Sequence, residues 1–177
     1  NTAATQFNWT HDTTAPSVPT LSSPANGTYA NDTTPTFAWN ASNGGPVSYQ
    51  VQVADNSSFN SPTTVTAVST AYTSGVLAEG AYYWRVKAKD AAGNWSSYST
   101  SRSINIDTTA PTAPTVTAPA NGTYTNDTTP TFAWNASSGS PVLYQIQVDD
   151  NSSFGSLTWT TTSALTSATA STLAEGA

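Results

Sequence analysis

Apolar and polar residues alternate along much of this chain with a period of two. Residues 36–41 place Phe37 and Trp39 on one face. Residues 47–53 place Val47, Tyr49, Val51 and Val53 together, against Gln50 and Gln52 on the other side. The strongest alternation runs from 82 to 89, where Tyr82, Trp84, Val86 and Ala88 interleave with Tyr83, Arg85, Lys87 and Lys89. Successive side chains of a strand point to opposite faces, so each stretch predicts a half-buried β-strand. Weaker strands follow from the Thr and Val content of residues 64–68 and around Tyr72, and Ile104 with Ile106 closes the set. Turn chemistry separates them: Asn26-Gly27, Asp55-Asn56 with Ser57-Ser58, Leu77-Ala-Glu-Gly80, and a loop over 90–95. Seven or so short strands at regular spacing, with no amphipathic helix, predict an all-β fold, an antiparallel β-sandwich.

The pattern then repeats. Residues 24–59 return almost letter for letter at 119–154, and DTTAP at 12–16 returns at 107–111, an offset of 95. LAEGA at 77–81 returns at 173–177, an offset of 96, so one residue is inserted late in the second copy. A unit of about 95 residues is the size of a small domain rather than of a solenoid repeat. The expected organisation is a terminal strand of a preceding domain, or a donated strand, over 1–11, a proline-stiffened linker over 12–19, a sandwich over 20–106, a second linker over 107–114 and a second sandwich over 115–177. That second unit keeps Phe132, Trp134, Tyr144, Ile146 and Val148 but lacks counterparts of Tyr82, Trp84, Val86, Ala88, Ile104 and Ile106. Each large buried side chain is worth roughly 1.5–3 kcal/mol, so the deficit is on the order of 10 kcal/mol, comparable to the whole stability of a domain. Two readings stand: the polypeptide continues into YYWRV-like sequence, or a strand from another molecule fills the gap. Aligned on the DTTAP motif, Trp9 falls on Ile104 and His11 on Ile106. Thr5, Phe7, Trp9 and His11 are therefore candidates for one face of a strand donated to a neighbour, which would make the partner a second copy in a head-to-tail oligomer or filament. Otherwise the partners are further repeats of the same chain.

The combination of PTFAW, YQVQV, LAEG-AYYWRV-KAKDAAGNW and DTTAP-xx-P resembles the immunoglobulin-like and fibronectin type III-like repeats of prokaryotic surface, adhesion and extracellular fibre proteins. The resemblance implies tandem Ig-like sandwiches, an extracellular location and a structural, non-catalytic role in a filament or cell-surface stalk. It also keeps open an adhesin or carbohydrate-binding module with its site on the sandwich-end loops. Trp95 and Trp159 are the aromatics that the core pattern explains least, and exposed tryptophan stacks on sugars.

Composition narrows the chemistry. Only 8% of residues are charged, the formal net charge is -6, and Arg85, Lys87, Lys89 and Arg102 are the only basic side chains, so no basic face for nucleic acid is expected. No apolar run approaches the ~20 residues of a membrane-spanning helix, so no membrane insertion is expected of this segment. Ten Asn-x-Ser/Thr sequons are present, at Asn8, Asn26, Asn31, Asn40, Asn56, Asn94, Asn121, Asn126, Asn135 and Asn151. Nearly all fall on predicted loops or strand ends, where a glycan would be accessible. Calcium is a candidate cofactor only through loop carboxylates, Asp12, Asp90, Asp107, Asp149 and Asp150, since oxygen donors suit a hard cation. A nucleophilic triad needs a base beside a hydroxyl, yet His11 is the sole histidine. Glu79 and Glu175 lack an evident partner carboxylate, so no catalytic residue is assigned.

Overall fold

A computed structural model describes residues 9–175. These separate into two compact units that divide after Thr108, and each contains strands without helix.

The first unit has eight strands in two sheets. One sheet has the order β1 (Thr20–Ser23), β3 (Thr36–Asn40), β6 (Ala71–Thr73). The other has the order β2 (Thr28–Ala30), β8 (Arg102–Ile106), β7 (Gly80–Asp90), β4 (Pro46–Ala54), β5 (Thr63–Ala67). Strand β7, the stretch of strongest alternation, is the longest at 11 residues and pairs with β4 on one edge and β8 on the other. The inward residues of the two sheets meet in one core: Phe37 and Trp39 from the first, and Tyr49, Val51, Val53, Trp84, Val86, Ala88, Ile104 and Ile106 from the second. At its centre the rings of Phe37 and Trp84 lie 4.9 Å apart.

Two details depart from the expected pattern. Pairing is antiparallel except for β2 with β8, which is parallel. Val47, expected to face inward with Tyr49, is 53% exposed, because the pairing register with β7 shifts between Pro46 and Ser48 and turns it outward. Residues 12–19, the proline-stiffened segment, lie against the first sandwich: Pro16 and Pro19 are buried, and the Ser17 amide donates to the Asn43 carbonyl at 3.0 Å. Gly44, at φ +89°, lets this segment close in, since a Cβ there would lie 3.2 Å from the Cα of Pro16. The second unit repeats the device, with Thr112 donating to Ser138 and Gly139 at φ +87° set against Pro111.

The second unit reproduces the first sheet as β9 (Thr115–Ala118), β10 (Thr131–Asn135) and β13 (Ser167–Thr169), in the order β13-β10-β9. The second sheet is reduced to the pair β11 (Tyr144–Val148) and β12 (Trp159–Ser163). The counterpart of β2, residues 123–125, is not a strand. In the first unit the ladder partner of β2 is β8, and the second unit has no such strand among its described residues. Tyr124 is accordingly fully exposed.

Candidate strand-acceptor groove

The second unit carries an open groove beside β10 and β11, about 870 Å³ in volume. Its floor is apolar, with Phe132 from β10, Val148 from β11, Pro130 and Leu173. Its rim is polar, with Asn126, Asp127, Asp149 and Glu175. The inner-face residues lie only partly covered: Phe132, Ile146 and Val148 are half-buried, whereas their counterparts Phe37, Val51 and Val53 are at most 5% exposed. Among the described residues, β11 has a partner on one edge only, while β4 in the first unit pairs on both. An unpaired strand edge beside an apolar floor is a template for an added strand.

The approach to the groove is already set. In the first unit the amide of Leu77 donates to Thr33 O at 2.8 Å, just before the turn into β7. In the second, the amide of Leu173 donates to Thr128 O at 2.7 Å. Glu79 of the first turn accepts from the Thr108 amide at 3.0 Å, which gives that carboxylate a structural part.

Trp159 covers part of the floor. It pairs opposite Val148 as Thr63 pairs opposite Val53, and its ring stacks on Phe132 at 6.0 Å. Phe132 thus receives an aromatic from an edge strand where Phe37 receives Trp84 from the central one.

The outer face of the five-stranded sheet carries a ladder of cations and rings. The Arg85 guanidinium carbon sits 4.0 Å from the Phe59 ring centre and 4.2 Å from that of Tyr98. The Lys87 ammonium lies 4.4 Å from the Trp95 ring and 4.9 Å from Tyr98, and that of Lys89 lies 5.5 Å from Trp95. Arg85 Nε donates to Gln52 Oε1 at 2.9 Å and the Tyr98 hydroxyl to Gln50 Oε1 at 2.7 Å. Residues 95–99 are fastened to β7 from the side, since Ser96 Oγ and Ser99 Oγ accept the amides of Ala88 and Val86. Burial pushes the Tyr98 phenol above its ordinary value, although the Arg85 charge pulls the other way. Period-two reading put Arg85, Lys87 and Lys89 on this face but gave no sign that Phe59, Tyr98 and Trp95 would lie between them, because those three come from loops. Trp95, considered above as a sugar-stacking residue, has its ring taken up by two lysines.

The other sequence-derived candidates are dispersed. Asp90 is buried and accepts from Asn94, through its amide at 2.8 Å and its side chain at 3.0 Å. Burial pushes its carboxyl up, but the hydrogen bonds from Asn94, Gly93 and Ala92 prevail and hold it below its ordinary 3.8. Asp12 accepts from the Thr14 amide. Asp149 and Asp150 accept from the Asn151 side chain. Asp107 lies at the end of β8, its amide donating to Ala30 O. Among the described residues, no three acidic, histidine or cysteine side chains form a group able to hold a metal.

Of the sequons, Asn26, Asn31, Asn40, Asn121, Asn126, Asn135 and Asn151 are exposed. Asn94 Nδ2, the atom a glycan would occupy, donates to both Asp12 O and Asp90 Oδ2, and Asn56 Nδ2 donates to Asp55 Oδ1 and Asn60 O. Asn8, Thr5 and Phe7 lie outside the described residues. Trp9 and His11 are exposed and lie in no strand; their rings meet edge to face at 6.2 Å.

This architecture is that of an immunoglobulin-like β-sandwich. Residues 20–108, which span β1 to β8, match the bacterial Ig-like domain family, and the chain belongs to it. The chain is also 41% identical over 134 residues to "Chitinase A1" of Niallia circulans, covering 71% of this chain and 18% of that protein. Among solved structures, it is similar to a Fn3-like protein from Clostridium thermocellum at 26% identity, covering 52% of this chain and 91% of that one, with a TM-score of 0.40. It is likewise similar to the α-L-rhamnosidase of Dictyoglumus thermophilum at 17% identity, covering 52% and 12% of the two chains, with a TM-score of 0.42.

Proposed function

We propose that this chain is a non-catalytic, structural part of an extracellular filament or stalk, built from tandem Ig-like sandwiches, and that the groove of its second unit receives a strand pair of the β7–β8 kind. One observation carries the reading: the first unit holds β7 and β8 in the place where the second has a groove and a single-edged β11. The strands come either from continuation of the same polypeptide or from another copy; strand complementation by a second copy would make the assembly a head-to-tail filament. Proline-braced segments at 12–19 and 107–114 suit such a chain to transmit extension. Cryo-electron microscopy of the native material tests this. Strand density in the groove is the expected result, and its connectivity distinguishes a neighbouring subunit from the same chain. A groove that stays empty in the native assembly would refute the proposal.

Glycans on the exposed sequons belong to the same reading, since sugar on Asn26, Asn31, Asn121 and Asn126 would shield strand edges. Intact mass before and after enzymatic deglycosylation of the native protein decides it, and an unchanged mass removes this part. The similarity to a chitinase favours a second reading, a spacer or carbohydrate-binding module within a carbohydrate-active polypeptide. Retention of the chain on chitin would support a binding module; passage without retention would leave only a spacing role.

A further inference from the structure

We infer that the groove selects its strand from the outer face of the sheet as well as from the core, through a half-built clamp of Phe154 and Gln147 that takes an arginine. This inference rests on the acceptor reading proposed above and specifies the partner's chemistry.

The first unit shows the finished clamp. Arg85 stands opposite Gln52 in the β4–β7 ladder, bonds its side-chain oxygen, and lies on the Phe59 ring. Phe59 is held at φ +54° and is only 8% exposed. At the equivalent positions, 95 residues on, the second unit has Gln147 and Phe154. The loop is formed in the same way, with the Phe154 amide donating to Asn151 O and φ at +52°, yet the residue is 51% exposed. A left-handed backbone is strained for a non-glycine residue. The second unit therefore bears the strain that presents this ring while the residue remains half exposed. An arriving guanidinium supplies what is missing, a flat cation over the ring and a donor for the glutamine.

Charge points the same way. From Thr109 onward the chain has Asp127, Asp149, Asp150 and Glu175 and no Lys or Arg, a formal charge of -4. Residues 80–106 carry Arg85, Lys87, Lys89 and Arg102 against the single Asp90, a formal charge of +3. The ladder of the first unit also sets the register. An aromatic residue belongs opposite Val148, as Trp84 is opposite Val53, an arginine opposite Gln147, and an apolar residue opposite Ile146. The partner is a cationic β-strand that alternates aromatic, arginine, apolar and lysine.

The test titrates the full chain with a labelled synthetic peptide of residues 80–106 and reads its anisotropy. The expected result is saturable binding that weakens with salt, and a loss of roughly fivefold for F154A or for a peptide carrying R85Q. The two changes together should cost no more than either alone, and Q147A serves as a second variant should F154A disturb its loop. Equal binding by all variants, or losses that simply add, would overturn the clamp while leaving the acceptor groove standing. Failure of the unaltered peptide to bind would overturn the groove reading, and the clamp with it.

Discussion

At the scale of single residues, Trp84 joins the two faces of the first core. It is fully buried against Phe37, and its indole N–H, like that of Trp39, finds no acceptor. Truncation to alanine removes the packing and leaves a cavity, at a cost of about 3–5 kcal/mol. Trp84→Phe keeps a large ring in the core and leaves no buried N–H without a partner at that position, so we expect a clearly smaller loss, measurable by urea titration of the two variants. Asp90 contributes a pH-dependent term. Its folded pKa lies below the ordinary 3.8, so its stabilisation is present above that value and is lost as pH falls through the folded one. Asp90→Asn should therefore lower the melting temperature at neutral pH, and the gap to the parent should close in strong acid. A gap independent of pH would mean that the 90–94 loop owes nothing to the carboxylate charge. The core aromatics were legible as residues, because large apolar side chains at alternate positions have few places to go but inward. Phe59, Tyr98 and Trp95 were not, since loop residues carry no periodic signature.

At the scale of elements, β7 organises the first unit, and the second has no counterpart of it among its described residues. The strand is central because it pairs on both edges and supplies Trp84, Val86 and Ala88 to the core. Among the described residues of the second unit, the counterparts of β2 form no strand, and β11 keeps one open edge. Hydrogen exchange should therefore report more than the contact itself. When the 80–106 peptide binds, amides of β11 and of residues 123–125 should both gain protection, because the latter pair through the β8-like strand rather than directly with β11. Protection confined to β11 would show that only the β7-like strand has docked. β1 and β2 escaped the sequence reading, since strands of four and three residues are too short to display a period. The outward turn of Val47 escaped it as well, since a register shift breaks the alternation that the reading relies on.

At the scale of the whole molecule, the two units share a sequence code yet differ in completeness, and their stabilities should differ accordingly. Calorimetry of the chain should show two transitions, a cooperative one from the first unit and a weaker one at lower temperature from the second. Trp84→Ala should lower the first while leaving the second where it was, because the core around Trp84 is built of first-unit residues. A single transition that shifts as a whole would show that the units unfold together. The repeat, the strand periodicity and the shortage of core residues in the second copy were determined by the sequence alone, because each follows from counting side chains against a period and an offset. The tertiary structure decided which strands share a sheet, that β2 joins β8 in parallel, that the proline segments lie docked, and that loop aromatics sandwich the cations of β7. These depend on groups far apart in the chain meeting at a few ångströms. Local pattern carries no information about such meetings, and the positive-φ loop that presents Phe154 becomes interpretable only beside its finished twin at Phe59.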